Sequence, residues 1–292
     1  MASNEITWRY NGVDLSIGLD RMGRGPTVLL LPALSSISTR REMRPLQEQL
    51  AKSFTTIAID WPGFGDRPKP YLDWRAEIYE AFLAHLLSDI VPAPFATIAA
   101  GHAAGYVIKH VGQHEHAAGR LVLLSPIWRG PLPTMAGGSR PVFSKIARAF
   151  DLPVFGAMLY RLNVNPFIIG MMARGHVYED PAWLKGHRFD EKMEVTRAPG
   201  ARHASARFVT GCLDPFAARE EQLDTVRRIA DPILVVFSDN APPKSRAEME
   251  ALAEMANVEA IRLPSGKLSF YEEFPTQTAD AVHEFLTSVV SN

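Results

Sequence analysis

Short runs too apolar to show water a polar face, each followed by a longer stretch of helical spacing, set the tightest limit on how this chain folds. Thr27–Leu31 (TVLLL) is one such run, and a strand of this kind belongs inside a sheet covered on both faces. Arg41–Ser53 follows with leucines at helical spacing, then Thr55–Asp60 (TTIAID), which ends in the turn Trp61-Pro62-Gly63-Phe64-Gly65. Asp73–Ile90 has apolar residues three and four apart, which predicts an amphipathic helix. Phe95–Ala100 predicts a strand, Ala103–Gln113 a helix and Arg120–Leu124 (RLVLL) another strand. This alternation builds βαβ units around a mainly parallel sheet.

The alternation stops at Ser125 and resumes near Glu220. Between them stand Gly130-Pro131, Gly137-Gly138 and helical patterns over 143–150, 154–162 and 166–173. Residues 126–220 therefore read as an inserted helical cap, and 1–125 with 221–292 as the core that carries it. Beyond the insertion the pattern predicts a helix over 219–229, a strand over 232–237 and a helix over 245–256. A strand over 258–263 and a helix over 276–289 complete it.

The run from Phe95 to Tyr106 breaks into Gly101-His102-Ala103-Ala104-Gly105, the spacing of G-x-S-x-G. That motif is a strand–turn–helix elbow that lifts a serine above a parallel sheet. On this spacing Ala103 takes the serine's place, and a methyl group cannot attack a carbonyl. Three more landmarks stand in order along the chain. They are Leu30-Leu31-Pro32-Ala33, the loop from Asp60 to Gly65, and Leu263-Pro264-Ser265-Gly266-Lys267 followed by Glu272-Glu273-Phe274-Pro275.

With these landmarks the chain resembles the α/β-hydrolase superfamily. The resemblance covers nearly the whole length and implies an eight-stranded, mainly parallel sheet flanked by helices, with a cap after the sixth strand. It also implies a serine activated by a histidine, an acid that orients the histidine, and backbone N–H groups that stabilise an oxyanion. Ala241 falls on the family's acid position in Ser238-Asp239-Asn240-Ala241-Pro242, and Asp239 is the nearby carboxylate. The alternative acid position, Ser125-Pro126-Ile127-Trp128-Arg129, has none. Lys267 follows Gly266 where the histidine is expected, so it becomes a candidate base, Schiff-base amine or carboxylate binder. An ion pair of Lys267 with Asp239 or Glu272 is the favoured expectation. The N–H groups of Leu34 and Ala104 are the expected oxyanion donors, and Ala103 and Trp128 are expected in the pocket wall.

Among the histidines, His102 reads as a packing residue beside the elbow, and His110, His114, His116 and His283 as residues away from the site. His176, His187 and His203 fall in the cap and read first as its polar surface, with a reach into the cleft as the alternative. Ser35 and Ser36 read as loop hydrogen-bonders.

Lys and Arg (31) nearly cancel Asp and Glu (32), so overall charge does not argue for nucleic acid or an anionic membrane surface. The lone Cys212 rules out an intrachain disulfide and a multi-cysteine metal site. The opening residues lack a signal-peptide layout, and no apolar stretch is long enough to span a bilayer, which makes a cytoplasmic protein the expectation. No cofactor or metal is called for.

Two functions compete. One is an enzyme acting on a small apolar carbonyl compound without a serine nucleophile, through Lys267, Asp239 or a cap histidine. The other is a pseudo-hydrolase, either a non-catalytic small-molecule binder or a scaffold with a filled cleft. An open apolar cleft of several hundred Å³ favours the small-molecule readings.

Overall fold

In a computed structural model, which describes residues 4–288, eight strands form one sheet. They are β1 (Asn4–Tyr10), β2 (Val13–Met22), β3 (Thr27–Leu31), β4 (Thr55–Ile59), β5 (Ala96–Ala100), β6 (Arg120–Leu124), β7 (Ile233–Ser238) and β8 (Val258–Leu263). Their order across the sheet is β1-β2-β4-β3-β5-β6-β7-β8. From β4 to β8 every neighbouring pair is parallel. The β1–β2 hairpin adds antiparallel strands at one edge. Its turn is Asn11-Gly12, with φ of 47° and 80°, the left-handed pair that matches the twist of a two-residue hairpin.

The core helices are α1 (Arg44–Leu50), α2 (Ala76–His85), α3 (Ala103–Val111), α10 (Arg219–Arg227), α11 (Pro243–Ala253), α12 (Phe270–Glu273) and α13 (Pro275–Thr287). Alternate strand residues feed two apolar layers. Leu29 and Leu31 of β3 join the layer under α2 and α3, while Val28 and Leu30 join the layer under α1 and α13. Both faces of β3 are therefore dry, as the run TVLLL requires. The helical pattern at the C-terminus extends to Val289, which lies outside the described residues, as do residues 1–3 of the opening segment.

Between β6 and α10 the described chain is helical and carries no strand. This insertion comprises α4 (Pro131–Ala136), α5 (Pro141–Ala149), α6 (Pro153–Asn163), α7 (Pro166–Met172), α8 (His187–Arg197) and α9 (Ala201–Val209). Four of these helices begin on a proline, whose fixed φ suits the first turn and whose missing N–H loses nothing there. Asn165 also caps α7, its Oδ1 accepting from the N–H groups of Phe167 and Ile168. Among the described residues no helix is long and apolar enough to cross a membrane.

Candidate functional site

A cavity of about 500 Å³ lies between the sheet and the insertion. The core supplies Leu34 after β3, Gly101 after β5 and Ser125 after β6; the insertion supplies Met135, Met172, Lys192 and Phe208. This is the C-terminal edge of the parallel strands, where open α/β sheets form their crevice.

The elbow sits two residues earlier than the spacing predicts. β5 ends at Ala100, and Gly101 makes the turn with φ of 54°. Gly101 lines the cavity; Ala103 is the first residue of α3 and lies fully buried in the core. Two unrelated demands for glycine created the misleading spacing. Gly101 is needed for the left-handed turn. Gly105 is needed because a Cβ there would stand 2.7 Å from Pro215 Cγ. The small residues flanking the observed turn are Ala99 and Ala103.

The expected donor pair changes with it. Ala104 N–H donates to the Gly101 carbonyl (3.2 Å) as part of the first helical turn, so it is not available to a ligand. The N–H that follows the elbow residue belongs to His102. No protein acceptor among the described residues takes the N–H of His102 or of Leu34, and both residues line the cavity.

Ser125 stands beside the elbow, because β5 and β6 pair Ala100 with Leu124 and Gly101 N–H donates to the Leu124 carbonyl (2.8 Å). Its φ of 44° is unusual for a residue with a side chain. Its buried Oγ finds no partner among the described residues. His102 is also fully buried. Its Nε2 lies 2.9 Å from the Leu213 carbonyl, which only accepts, so this nitrogen holds the proton and the unpartnered Nδ1 is a bare acceptor. Burial lowers the His102 pKa to about 4, leaving the ring neutral at pH 7. Nearby Asp214 accepts from Gly130 N–H (2.8 Å), and burial pushes its pKa up to about 7.

A second group of polar side chains enters the cavity wall where insertion meets core. Glu42 belongs to a 3₁₀ turn, Arg40–Met43, that is anchored by the buried ion pair of Arg40 with Asp60 (2.6 Å). Burial raises Asp60 to about 6 against the pull of Arg40. The anchored turn brings Glu42 Oε1 to the Ala33 N–H (2.8 Å) and the Tyr271 hydroxyl (3.0 Å). Lys192, on α8, places Nζ 3.5 Å from Glu42 Oε2 and 3.1 Å from Glu272 Oε2. The Tyr178 hydroxyl donates to Glu272 Oε1 (2.8 Å). All five side chains are buried. Burial opposes the charge on Lys192, yet Glu272 and Glu42 more than offset it and hold its pKa above the ordinary value. Burial pushes Glu272 up to about 7 against the pull of Lys192, with Glu42 adding to the rise.

This cluster escaped the sequence reading. Glu272 stood in a landmark, but Glu42 and Lys192 lie 150 residues apart on helical segments where charged residues are unremarkable. The residues to which the sequence pattern points lie elsewhere. Lys267 turns outward and donates to the Arg174 carbonyl (2.6 Å); it pairs with neither Asp239 nor Glu272. Asp239 is exposed, and its carbonyl accepts from Arg246. Ala241 is buried, with the neighbouring Pro242 and Pro243 reaching the cavity instead. Trp128 packs in the core, its Nε1–H donating to Glu248 (3.0 Å), and Arg129 takes the wall position.

Of the insertion's histidines only His176 borders the cavity; His203 pairs with Asp151 (2.6 Å), and His187 is exposed. Ser35 and Ser38 also line the cavity and bond to each other (2.8 Å), while Ser36 bonds Ser205. Among the described residues no three His, Cys, Asp or Glu side chains converge as a metal site.

Residues 28–281 match the model of the alpha/beta hydrolase family. The chain belongs to that family. An uncharacterized protein of Mycobacterium tuberculosis is 22% identical over 272 residues, covering 90% of this chain and 76% of that protein. Among solved structures, a thermophilic esterase from Thermogutta terrifontis superposes with a TM-score of 0.72 at 18% identity, covering 98% of both chains. The Cif epoxide hydrolase from Acinetobacter nosocomialis gives a TM-score of 0.73 at 16% identity, covering 97% of this chain and 88% of its own. Likeness at this identity establishes the fold; the chemistry has to come from the site.

Proposed function

We propose that this protein holds a small, mainly apolar molecule bearing a carbonyl oxygen in the cavity between sheet and insertion, and that no covalent step starts at the elbow. One observation carries this reading. The residue that turns at the elbow and faces the cavity is Gly101, which has no side chain to act as a nucleophile. The neighbouring N–H groups of Leu34 and His102 remain free to bind a carbonyl oxygen, and the Ser125 hydroxyl adds a third donor at the same edge. A cavity of about 500 Å³ falls within the range that takes small molecules, which counts against a filled-in scaffold.

The test is native mass spectrometry and thermal-shift screening against apolar ketones, esters and amides, with a p-nitrophenyl ester assay alongside. Compounds that bind without being consumed support the reading; at a hundredfold excess over Kd the stabilisation reaches about 2.7 kcal/mol. Steady ester turnover by the unaltered protein overturns it. The buried Glu42 and Lys192 in the same wall favour a second reading, an enzyme that moves a proton on the bound carbonyl compound. Consumption of a bound compound that disappears in Glu42→Gln selects that reading.

A further inference from the structure

The near-balance of charge over the whole chain conceals an uneven distribution in the insertion. Of the twelve large apolar side chains that are exposed among the described residues, ten fall between Met135 and Met172, so exposed apolar surface is concentrated on α4 to α7. On α6, Gly156 and Tyr160 face inward, while Val154, Phe155, Met158 and Leu162 face out at helical spacing. On α7, Ile169 faces inward and Phe167 and Met171 face out. Val154 is 84% exposed and Phe167 74%. Isolated surface apolar residues need no explanation, but a concentration of this kind marks a contact surface.

The charges accompanying it are almost all of one sign. Between residues 131 and 177 stand Arg140, Lys145, Arg148, Arg161 and Arg174, against the single acid Asp151. All five basic residues are exposed, and none forms an ion pair among the described residues. Asp151 is already paired with Arg207 (2.8 Å) and His203 (2.6 Å). The outward surface thus combines bulky apolar groups with unpaired positive charge, the combination that seats a helix in the headgroup layer of an anionic bilayer.

We propose that α4 to α7 form a docking surface for an anionic lipid membrane, with the apolar side chains entering the interface and the five basic residues meeting lipid headgroups. No helix needs to span the bilayer for this contact. The surface also reaches the cavity, because Met135 and Met172 are both exposed and part of the cavity wall. An apolar ligand can then pass from lipid to cavity with little exposure to water, a corollary that rests on the function proposed above.

The experiment is co-sedimentation of the full chain with vesicles of phosphatidylcholine alone or mixed with phosphatidylglycerol, at low and raised salt, with no ligand added. Failure here is therefore separate from failure to find a ligand. Preferential binding to phosphatidylglycerol vesicles that weakens with salt is expected. The triple variant Lys145→Gln/Arg148→Gln/Arg161→Gln is expected to lose about fivefold in affinity per charge removed. The pair Phe155→Ser/Phe167→Ser is expected to weaken binding while the thermal midpoint holds, since both side chains are exposed. Absence of vesicle binding, or equal binding by the charge variant, overturns the proposal. So does a dimer in analytical ultracentrifugation that the two serine substitutions abolish without lipid binding, which would make a second copy of the chain the occupant.

Discussion

The elbow and the glutamate–lysine cluster border the same cavity and differ in almost every physical respect. At the elbow, Gly101, Leu34 and His102 offer mostly backbone donors, with Ser125 and His102 holding unpartnered polar atoms. In the cluster, Glu42, Lys192 and Glu272 form ion pairs, and the neutral Tyr178 and Tyr271 hydroxyls donate to the two glutamates. The two meet at Ala33, whose N–H donates to Glu42 and whose Cβ stands 3.1 Å from where a Gly101 Cβ would sit. The contrast separates two kinds of polar surface. A site with unused hydrogen-bonding groups is prepared for a ligand, whereas a site whose groups satisfy each other first holds the fold together.

The sharpest way to break that contrast is Lys192→Met. It leaves Glu42 and Glu272 buried without their cation and is expected to cost about 3–5 kcal/mol in urea unfolding at neutral pH. A loss below about 1 kcal/mol would mean that the cluster is not a structural unit. Next comes the pH dependence of the same cluster. Glu272 has an ordinary pKa of 4.5 and a folded pKa of about 7, so between these values the unfolded chain releases a proton that the fold retains. Stability from this group therefore falls as pH rises through that window. Glu272→Gln is expected to flatten the decline by roughly 3 kcal/mol, leaving the contributions in the same direction from Asp214 and Asp60. An unchanged slope in denaturant titrations across the window would refute the assignment.

Gly101→Ser probes the other region. The left-handed turn and the contact with Ala33 are expected to cost about 1–2 kcal/mol, and the new hydroxyl is expected to give no ester turnover because the loop after β8 brings Leu268 and Ser269 to the cavity and has no histidine to activate it. Measurable turnover by that variant would reveal a base at the elbow. Lys267→Ala should do least. It removes one hydrogen bond from an outward-facing side chain, so stability is expected to stay within about 0.5 kcal/mol and ligand binding to be unchanged. A large loss of binding would return Lys267 to the site.

Much of the architecture was legible because it depends on patterns local to each segment. TVLLL, RLVLL and the runs near β5 and β7 are dry on both faces, and the prolines at 131, 141, 153 and 166 mark helix starts. The β1–β2 hairpin also carries a signal, Asn11-Gly12 between alternating residues, but its strands are not wholly apolar runs. The site was less legible. The spacing of Gly101 and Gly105 pointed to Ala103, yet one glycine serves a turn and the other makes room for Pro215, more than a hundred residues away.

The sequence by itself determined the alternation of strand and helix, the helical insertion and the family, since hydrophobic periodicity and turn residues act over a few neighbours. Tertiary structure decided which residue faces the cavity and which charges meet. Lys192 reaches Glu42 and Glu272 only once α8 meets the 3₁₀ turn and α12, and Lys267 turns outward to the Arg174 carbonyl. Burial then raises Glu272 to about 7, and burial is a property of the assembled fold that no single segment contains.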